Sequence, residues 1–520
     1  MSHPINRRQF GQNTLGLAGT FAAACTTTPD DQQPNIILCM GDDHGWDETG
    51  YNGHPYLRTP VLDEMASTGL RMDNFYSASP VCSPTRGSVI TGRHPNRYGT
   101  FTANWSIRPE EISIAHILSD AGYACGHFGK WHLGPVKSES PTNPGAMGFE
   151  EWLSHDNFFE LDPYFSRNGT PPKQFQGESS DIVIDEAIRF ISKTKQQGRP
   201  FFTVIWFGSP HEPYSGLEED LTLYDNLPES YRQRLVTVTG MEDGLPVKRP
   251  LNEVLQARYA EITAMDRAIG RLRQYLKEEG LRENTLLSYC GDNGVPIEAN
   301  VTTPFRGQKG QVYEGGVRVP SVIEWPQRIS EPRITDVNTV TSDILPTLCD
   351  IAGLSLPDRP LDGFSFKSLI DGEMNERPTP ICFWNYNNRN QGITNVGFGT
   401  NRDTQNGLEP YIDPRLQEGT TPLVKKLDGR LTRNFFNFHH RTITEEDFSG
   451  PRAILDNRYK LVIDAQRGSE ATTELFDLLN DRAEQDNLIE ARPEIANNLK
   501  RQLRDWQQSV LNSLTGADYT

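Results

Sequence analysis

The sequence contains no run of about 18 apolar residues, so it does not encode a bundle of membrane-spanning helices. It also lacks an excess of positive charge, because 51 Lys and Arg are outnumbered by 69 Asp and Glu, for a formal net charge of −18. Binding of phosphate backbones needs an excess of Lys and Arg, and this balance therefore argues against a general nucleic-acid binder. At roughly 100–200 residues per domain, 520 residues are enough for two or three domains with a large core.

The seven cysteines match neither a disulfide framework nor a zinc ribbon. Their number is odd, they are spread along the chain, and no two of them form a C-x-x-C pair. We expect most of them to be small buried apolar residues, namely Cys39, Cys125, Cys290, Cys349 and Cys382. Cys25 and Cys82 lie in different surroundings.

Residues 1–33 are predicted to be an export signal followed by a polar tether. Arg7 and Arg8 precede the short apolar run 15–24, and this segment resembles a twin-arginine signal. The sequence Ala-Ala-Ala before Cys25 is similar to a lipoprotein cleavage site, although an alanine replaces the usual larger aliphatic residue. The alternative is ordinary cleavage after small residues. We therefore expect a periplasmic or cell-surface protein, with or without a lipid on Cys25.

From residue 34 onward, strand patterns alternate with helix patterns, which predicts an α/β fold. Continuous apolar runs are typical of strands buried on both faces, and they cover 35–40, 201–207 and 285–290. Helical spacing with terminating glycines predicts helices over 60–68, 180–197 and 251–279. Strands that alternate with helices favour a mostly parallel sheet sandwiched by helices.

The last part of the chain predicts a smaller α+β subdomain. Segments 453–464 and 474–479 alternate like hairpin strands, and a helical stripe runs from Ile495 to Val510. The region 385–448 is rich in Asn, Gly and Thr and is predicted to form long loops. The predicted organisation is therefore 1–33 signal and tether, 34–384 catalytic domain, and 385–520 linker loops with a C-terminal antiparallel subdomain.

Polar side chains follow four of the predicted strands. Ligands of open α/β sheets bind beyond the carboxyl ends of the strands, so these side chains are candidates for one site. They are Asp42, Asp43 and His44, then His127, Lys130 and His132, then Ser209 and His211, then Asp292 and Asn293.

Three carboxylates in this set would repel one another unless a cation lay between them. Asp42, Asp43, Asp292 and Asn293 offer oxygen ligands, which suit Ca²⁺ or Mg²⁺ rather than zinc. Such pairs can also be simple turn residues. Two pairs that each follow a buried strand favour the metal site.

Cys82 is predicted to lie at the start of a helix, with Ser83 as N-cap and Pro84 as first helical residue. Free N–H groups there attract anions, and Arg86 would add positive charge. A cysteine in this place is expected to be a thiolate of lowered pKa. Sulfur beside a hard cation is a chemical mismatch, which indicates that the functional group at position 82 is not sulfur. Helix capping is the alternative role.

Four further groups would complete a site for an oxyanion. Taken alone, Lys130 with His132, and Lys309, are more typical of solvated loop residues. His211 lies between two prolines at a strand end, where a functional role is favoured over a structural one. Together these groups would stabilise a charged transition state and protonate a leaving group.

These segments resemble the type I, formylglycine-dependent sulfatases of the alkaline phosphatase-like superfamily. Cys82-Ser-Pro-Thr-Arg86 followed by Thr91-Gly92 is similar to the family signature C-x-P-S/T-R with a later T-G. Similar segments run in order from about residue 34 to 372, and include Asp42-Asp43, 129–134, Pro210-His211, 291–294, Lys309-Gly310 and 313–320. Gly291 stands where the family commonly has Ser, at a position without a ligand role.

The resemblance implies an alkaline-phosphatase-like fold and a covalent mechanism. Cys82 would be oxidised to formylglycine (3-oxoalanine) by a maturation enzyme, and its hydrated aldehyde would attack the sulfur of a sulfate ester. Ca²⁺, with Mg²⁺ less favoured, would be bound by residue 82 together with Asp42, Asp43, Asp292 and Asn293.

The same resemblance assigns the proton transfers. Asp292 would accept the proton of the attacking hydroxyl, His211 or Lys309 would protonate the leaving alcohol, and His132 would act in the release of sulfate. Arg86 and Lys130 would hold the diol and its charge.

The implied substrate is a sulfated carbohydrate, chosen by loops. These are predicted to be 212–250 and 385–448, and the residues singled out are Trp384, Arg389, His439 and His440. One alternative is a phosphonate or phosphodiester hydrolase of the same superfamily. Another is a non-catalytic, calcium-dependent binder of anionic polysaccharide.

Overall fold

The structure is a computed structural model that describes residues 33–159, 161–241, 244–386, 409–422, 432–440, 442–464 and 471–519. The predicted signal with Cys25, and also Arg389, lie outside the described residues. Within the part of the chain that is described, no helix is both long and apolar enough to span a bilayer.

The strands and helices alternate through most of the chain. The strands are β1 Asn35–Gly41, β2 Leu70–Met72, β3 Phe75–Tyr76, β4 Ala124–Lys130, β5 Glu151–His155, β6 Tyr164–Arg167, β7 Lys173–Gln174, β8 Phe201–Trp206, β9 Leu235–Thr239, β10 Pro246–Pro250, β11 Thr285–Gly291, β12 Ser321–Glu324, β13 Arg333–Thr335, β14 Thr339–Val340, β15 Ile381–Trp384, β16 Arg452–Leu455, β17 Tyr459–Asp464 and β18 Thr472–Asp477. The helices are α1 Pro60–Thr68, α2 Cys82–Thr91, α3 Ile114–Asp120, α4 Ser179–Gln196, α5 Glu218–Leu221, α6 Glu229–Arg232, α7 Leu251–Glu278, α8 Glu314–Val317, α9 Ile344–Ala352, α10 Lys367–Ile370 and α11 Pro493–Leu514.

A ten-stranded sheet forms the centre of the molecule, with strand order β13-β2-β12-β11-β1-β8-β4-β5-β6-β7. The consecutive strands β11, β1, β8, β4 and β5 are parallel. Antiparallel pairs occur towards both edges. The mostly parallel sheet predicted from the alternation of strands and helices is therefore confirmed.

Both faces of this sheet are covered, as the continuous apolar strands predicted. Ile37 and Cys39 of β1 point into a core built with α4 and α7. The intervening residues Leu38 and Met40 point into a second core, built with α2, α3 and α9. A fully buried strand has no polar face, which is why β1 lacks the alternation of a half-exposed strand.

The C-terminal part contains a four-stranded antiparallel sheet in the order β15-β16-β17-β18. One face packs against α11, where Leu499 and Leu503 contact Ile454 and Leu461. The other face packs against the region of Tyr76, Tyr313 and Val317 in the larger part of the molecule. The predicted α+β architecture is confirmed, and β15 joins this sheet from just before residue 385.

Three local expectations were wrong. Helix α2 begins at Cys82 itself after Val81, so Ser83 is not the N-cap. Strand β4 extends to Lys130, because Gly126 and Gly129 interrupt the apolar pattern without ending the strand. Segment 212–250 is not only loop, since it contains α5, α6 and the hairpin β9–β10. The alternating Leu, Val and Thr residues of β9 favour a strand.

Candidate active site

Sheet register brings the polar strand ends together. Gly41 at the end of β1 pairs with Gly291 at the end of β11, and Met40 pairs with Trp206 of β8. The loops that follow are therefore adjacent, and the backbone N–H of Asp43 donates to Oδ1 of Asp292 at 2.8 Å. This edge is where open parallel sheets place their ligands.

Lys130 reaches the same edge from β4 because of a glycine. Gly129 has φ of 103°, and a Cβ at this position would lie 1.9 Å from the carbonyl oxygen of Trp206. Only glycine tolerates both the left-handed conformation and this close approach. Lys130 is thereby placed with its Nζ 2.5 Å from Oδ2 of Asp42.

Three carboxylates and three cations form one buried network. Besides the pair of Lys130 with Asp42, Lys309 Nζ lies 2.6 Å from Oδ2 of Asp43. Arg86 Nη2 lies 2.7 Å from Oδ2 of Asp292 and 3.5 Å from Oδ1 of Asp42. Three negative charges thus meet three positive charges, and this balance is what makes their burial tolerable.

The carboxylates differ in protonation. Burial alone would raise the pKa of Asp42, but Lys130, His211 and Arg86 outweigh burial and hold it well below its ordinary value. The pKa of Asp43 is also lowered, because Lys309 and His211 outweigh burial. Burial and the Asp42 charge raise the pKa of Asp292 to about 7. A divalent cation would favour the charged form of all three.

Two oxygens of this set are buried without a hydrogen-bond partner, namely Oδ1 of Asp42 and Oδ1 of Asn293. Buried polar atoms are nearly always bonded, so such oxygens are notable. Asn293 donates its Nδ2 to Oδ1 of Asp43 at 2.9 Å, which leaves its oxygen for another ligand. Ligand atoms of Asp42, residue 82 and Asp292 lie within 4.8 Å of one another. The donor set fits a hard divalent cation such as Ca²⁺.

Residue 82 begins helix α2 and is only 1% exposed. Burial raises the pKa of the Cys82 thiol, since it outweighs the nearby charges of Lys130 and Lys309. The expected low-pKa thiolate is therefore wrong, and the unmodified side chain is a neutral thiol. One turn later, the guanidinium of Arg86 stacks 5.1 Å above the Trp206 ring, which fixes its orientation.

His211 and Lys309 lie on the accessible side of the network. Their side chains are 11% and 24% exposed, whereas those of Asp42, Arg86 and Lys130 are fully buried. The Nε2 of His211 lies 3.3 Å from Nζ of Lys309. Burial and the Lys309 charge lower the pKa of His211, although Asp43 opposes them. The partly exposed edge of the network therefore holds two groups that can carry a proton.

His132 lies near Lys130 and Asp42 of the network. It has φ of 57°, a conformation that non-glycine residues rarely adopt. Its Nε2 lies 3.3 Å from Oδ1 of Asn104, and its buried Nδ1 has no hydrogen-bond partner. Burial and Lys130 lower its pKa well below the ordinary value, so the ring is neutral. A neutral imidazole can accept a proton.

Comparison with known proteins settles the family. The sulfatase family model matches residues 34–354, and the model of the C-terminal region of N-sulphoglucosamine sulphohydrolase matches residues 307–405. An ulvan-active sulfatase of Formosa agariphila is 31% identical over 347 residues, which are 65% of this chain and 65% of that protein. The chain belongs to the sulfatase family. Members of this family hydrolyse sulfate esters. The match to the ulvan-active sulfatase spans 65% of that protein's length.

Solved structures share the sulfatase fold. Ps i-CgsB in complex with k-i-k-neocarrahexaose is 21% identical, with a TM-score of 0.69 over 92% of this chain and 93% of that one. The phosphonate monoester hydrolase of Agrobacterium radiobacter is 19% identical, with a TM-score of 0.61 over 92% and 97%. At these identities the likeness establishes the fold alone. The alkaline-phosphatase-like architecture predicted for this sulfatase is confirmed.

Some of the highlighted residues do not reach the sulfatase site. His127 lies within β4, where its ring is enclosed by Trp131 and Trp206 and its Nδ1 contacts Ser154 Oγ at 2.7 Å. His44 is buried, and its ring bonds to Tyr289 and to the backbone of Glu48. The strand-end rule was wrong for both residues. His127 lies inside β4 because this strand is longer than predicted, and His44 leaves the site because the chain turns after Asp43.

The residues predicted to select the substrate pack against other parts of the protein. Trp384 is buried in an aromatic cluster and donates its Nε1 to the Ser449 carbonyl at 2.8 Å. His440 is buried edge-on against Phe101, and His439 lies on the Tyr411 ring. None of these contacts involves the groups around residue 82.

Four residues near the sulfatase site were not predicted, namely Asn104, Asn157, Phe158 and Arg433. Asn157 Nδ2 donates to Oδ1 of Asn104 at 2.6 Å, and Phe158 stacks on His211 with ring centroids 5.0 Å apart. Asn157 and Phe158 follow β5, so the strand-end rule would have found them had β5 been recognised. Arg433 has no local sequence signal of this kind.

Proposed function

We propose that this chain is a sulfatase that removes sulfate esters from a sulfated carbohydrate, using formylglycine made from Cys82 and a bound Ca²⁺. The observation that carries the proposal is the set of groups around residue 82. A neutral buried thiol there is a poor nucleophile, yet carboxylate oxygens and three cations lie close to it, and two imidazoles lie near the same carboxylates. These surroundings suit an oxygen nucleophile.

The two implied groups would supply the nucleophile and its activation. The hydrated aldehyde at position 82 would provide the attacking hydroxyl, and Ca²⁺ held by Asp42, Asp43, Asp292 and Asn293 would supply Lewis-acid charge. The cation fits the residues present, because it would bind the unpartnered oxygens of Asp42 and Asn293.

The remaining chemistry belongs to the chain's own side chains. Arg86 and Lys130 are fixed by buried ion pairs and would orient the group at position 82. His211 and Lys309, 3.3 Å apart at the accessible side, would hold the proton that the leaving alcohol takes. The unpartnered Nδ1 of His132 would accept the proton whose removal releases sulfate. The lowered pKa of His132 keeps its ring neutral and able to accept that proton above acidic pH.

A carbohydrate substrate is supported by the named relatives and by the predicted export. Ulvan and neocarrahexaose appear in the names of a relative and of a structure with the same fold. The proposal includes export through the segment around Arg7 and Arg8, to the periplasm or cell surface, with a lipid on Cys25 as one form. It also includes a maturation enzyme that oxidises Cys82 before folding.

A phosphonate or phosphodiester hydrolase is the second candidate, favoured by the fold shared with the phosphonate monoester hydrolase. The site offers three cations and two imidazoles to its substrate, which suits either tetrahedral ester. Relative rates on matched sulfate, phosphate and phosphonate esters decide between the two.

The first test is a peptide mass spectrum covering residue 82, on protein purified from its native cells, with turnover measured on 4-nitrophenyl sulfate. We expect an aldehyde at position 82 and faster hydrolysis of sulfate than of phosphate or phosphonate esters. Cys82→Ala should lower kcat/KM by at least about 10⁴-fold, because it removes the nucleophile. The control is Cys349→Ala, since Cys349 is a buried cysteine on α9 that belongs to neither the carboxylates nor the cations of the network.

An unmodified thiol together with no turnover would contradict the proposal. Calcium-dependent binding of an anionic polysaccharide would then be the function to measure. Faster turnover of phosphate or phosphonate esters, with the aldehyde present, would instead establish the second candidate.

A further inference from the structure

The imidazole of His132 has one ring nitrogen with a partner and one without. Its Nε2 lies 3.3 Å from Oδ1 of Asn104, whereas its Nδ1 is buried and has no hydrogen-bond partner among the described residues. Burial, followed by the charge of Lys130, lowers the pKa of His132 well below its ordinary value. The ring is therefore neutral at neutral pH, and a neutral ring carries one proton on one of its two nitrogens.

Asn157 determines which atom of Asn104 faces this ring. Oδ1 of Asn157 accepts the N–H of Phe158 at 2.9 Å, which assigns the other end of the Asn157 amide as the donor Nδ2. This donor lies 2.6 Å from the amide of Asn104, so the Asn104 atom that it contacts is the acceptor Oδ1. Because the same Oδ1 faces Nε2 of His132, that nitrogen must carry the proton of the ring.

Asn104 is itself held from two sides. It has φ of 66°, its N–H donates to Oγ of Ser83 at 3.3 Å, and its carbonyl accepts the N–H of Phe436 at 3.2 Å. Ser83 is the second residue of α2, the helix that begins with residue 82. The ring of Phe435 lies edge-on to the ring of His132, with centroids 6.3 Å apart. The Asn104 amide is therefore fixed relative to both the start of α2 and the imidazole.

We infer that Asn104 is a positioning residue that holds His132 in the Nε2–H tautomer, so that the lone pair of Nδ1 accepts the proton when sulfate is released. The inference rests on the proposed function and deepens it, because it assigns that proton transfer to one atom. The proton passes from a hydroxyl at position 82 to Nδ1. The electrons of that O–H bond re-form the C=O bond of the aldehyde, and sulfate leaves with the oxygen and the electron pair of the C–O bond that breaks.

The tautomer is tested by two-bond ¹H–¹⁵N correlation spectra of the full chain with ¹⁵N-labelled histidine rings. The wild type should show the Nε2–H tautomer for His132, whose signals are assigned by their loss in His132→Gln. Asn104→Gly removes the acceptor and tolerates the positive φ, so the Nδ1–H tautomer should appear beside the other. Asn104→Asp keeps an acceptor oxygen at a positive φ that aspartate can adopt, and should keep the Nε2–H tautomer. The spectra need no turnover, and Cys82→Ala should give the same tautomer as the wild type.

A kinetic test separates the two halves of the reaction with 4-nitrophenyl sulfate, after the aldehyde content of each variant has been measured. 4-Nitrophenol leaves before the His132 step, and sulfate leaves in it. Asn104→Gly should therefore lower kcat about 10- to 100-fold, lower KM in parallel, and keep kcat/KM within about twofold of the wild type. Sulfate should lag behind 4-nitrophenol in the first turnover. Asn104→Asp should restore most of the rate of sulfate release.

Asn168→Gly is the matched control. Asn168 also has a positive φ, 48°, and its Oδ1 accepts a backbone N–H, that of Trp152, at 2.7 Å. The substitution removes the same side chain from the same kind of backbone conformation. It should leave kcat, the order of product release and the His132 tautomer unchanged.

The outcomes separate this inference from the proposed function. An Nδ1–H tautomer in the wild type would overturn the inference and leave the sulfatase activity intact. Equal falls in kcat and kcat/KM for Asn104→Gly, without a lag of sulfate, would also overturn it. No turnover of 4-nitrophenyl sulfate by the wild type carrying the aldehyde would instead reject the proposed function, whichever tautomer the spectra show. If Asn104→Gly does not fold, Asn157→Ala provides the same comparison, because it frees the amide of Asn104.

Discussion

Two clusters of buried charge lie at the two ends of segment 309–318. At one end, Lys309 joins the network of Asp43 and the other carboxylates around residue 82. At the other end, Glu314 and Glu484 meet Lys460, whose Nζ lies 2.9 Å from one carboxylate and 3.0 Å from the other. Arg318 lies 3.3 Å from Glu314 and balances the second cluster.

The two clusters are alike in features often taken as marks of function. Both are buried, both are balanced in charge, and both include a non-glycine residue with positive φ, Asp43 in one and Glu484 in the other. Each cluster also holds one buried carboxylate oxygen without a hydrogen bond, Oδ1 of Asp42 and Oε1 of Glu484. What differs is the distance of that oxygen from a paired cation, which is 3.5 Å from Arg86 for Asp42 and 3.0 Å from Lys460 for Glu484. The first cluster also adjoins a residue at a helix start, and the second joins the C-terminal sheet to α8.

The second cluster should therefore dominate stability. Lys460→Met leaves two buried carboxylates without their shared cation and should lower the free energy of unfolding by about 3–5 kcal/mol. Urea denaturation followed by circular dichroism measures this. Lys193→Met is the control, because its side chain is 56% exposed beside Glu151 and its loss should cost about 1 kcal/mol or less. A loss below about 1 kcal/mol for Lys460→Met would remove the distinction between the clusters.

The first cluster should depend on a metal ion. Calcium at about 100 times its dissociation constant should stabilise the wild type by about 2.7 kcal/mol relative to chelated protein. Thermal unfolding with calcium and with EDTA measures this. Lys460→Met should keep the calcium-dependent shift, whereas Asp42→Asn should lose it. A shift of equal size in Asp42→Asn would place the cation elsewhere.

The sequence predicted elements with strong periodicity better than elements that depend on specific polar partners. Long elements with strong periodicity, such as β1 and α7, were predicted to within one or two residues, because burial alone fixes their pattern. The polar residues after β1, β8 and β11 were brought together as the strand-end rule predicts. Strand β5 was not recognised, since Glu151, Ser154 and His155 are polar yet buried through specific partners.

Contacts between residues far apart in the chain could not be predicted from the sequence. Arg433 depends on the pairing of Phe436 with Asn104, two positions far apart in the chain whose contact leaves no local periodicity. The Lys460 cluster likewise joins β17 to α8 and to Glu484. Position 82 was singled out because a predicted helix start and Arg86 lie within one turn of each other and because this segment resembles the sulfatase signature.

Within the first cluster, proton donation can be separated from charge. His211→Asn should lower kcat about 100-fold for an alkyl sulfate, because a sugar alcohol leaves slowly without a proton. The same variant should lower kcat only slightly for 4-nitrophenyl sulfate, whose leaving group is stable as an anion. Measured rates on the two substrates check this, and Lys309→Met tests the other candidate donor. Equal losses on both substrates for His211→Asn would assign His211 to positioning instead.

His155 is buried outside both clusters, and its protonation should have the smallest effect on stability. His155 accepts the N–H of Asn157 at 3.0 Å on Nδ1 and lies 3.0 Å from the Pro422 carbonyl on Nε2. Burial lowers its pKa to about 4, below the value of about 6.5 in the unfolded chain. The unfolded state therefore binds more protons between these values, and the stabilisation present above pH 6.5 is lost as the pH falls towards 4. Between pH 7 and pH 5, His155 should account for about 2 kcal/mol of lost stability. His155→Gln should lose less stability than the wild type over this interval by that amount, as measured by urea denaturation at both pH values. Parallel losses in the two proteins would show that the protonation of His155 is not coupled to unfolding.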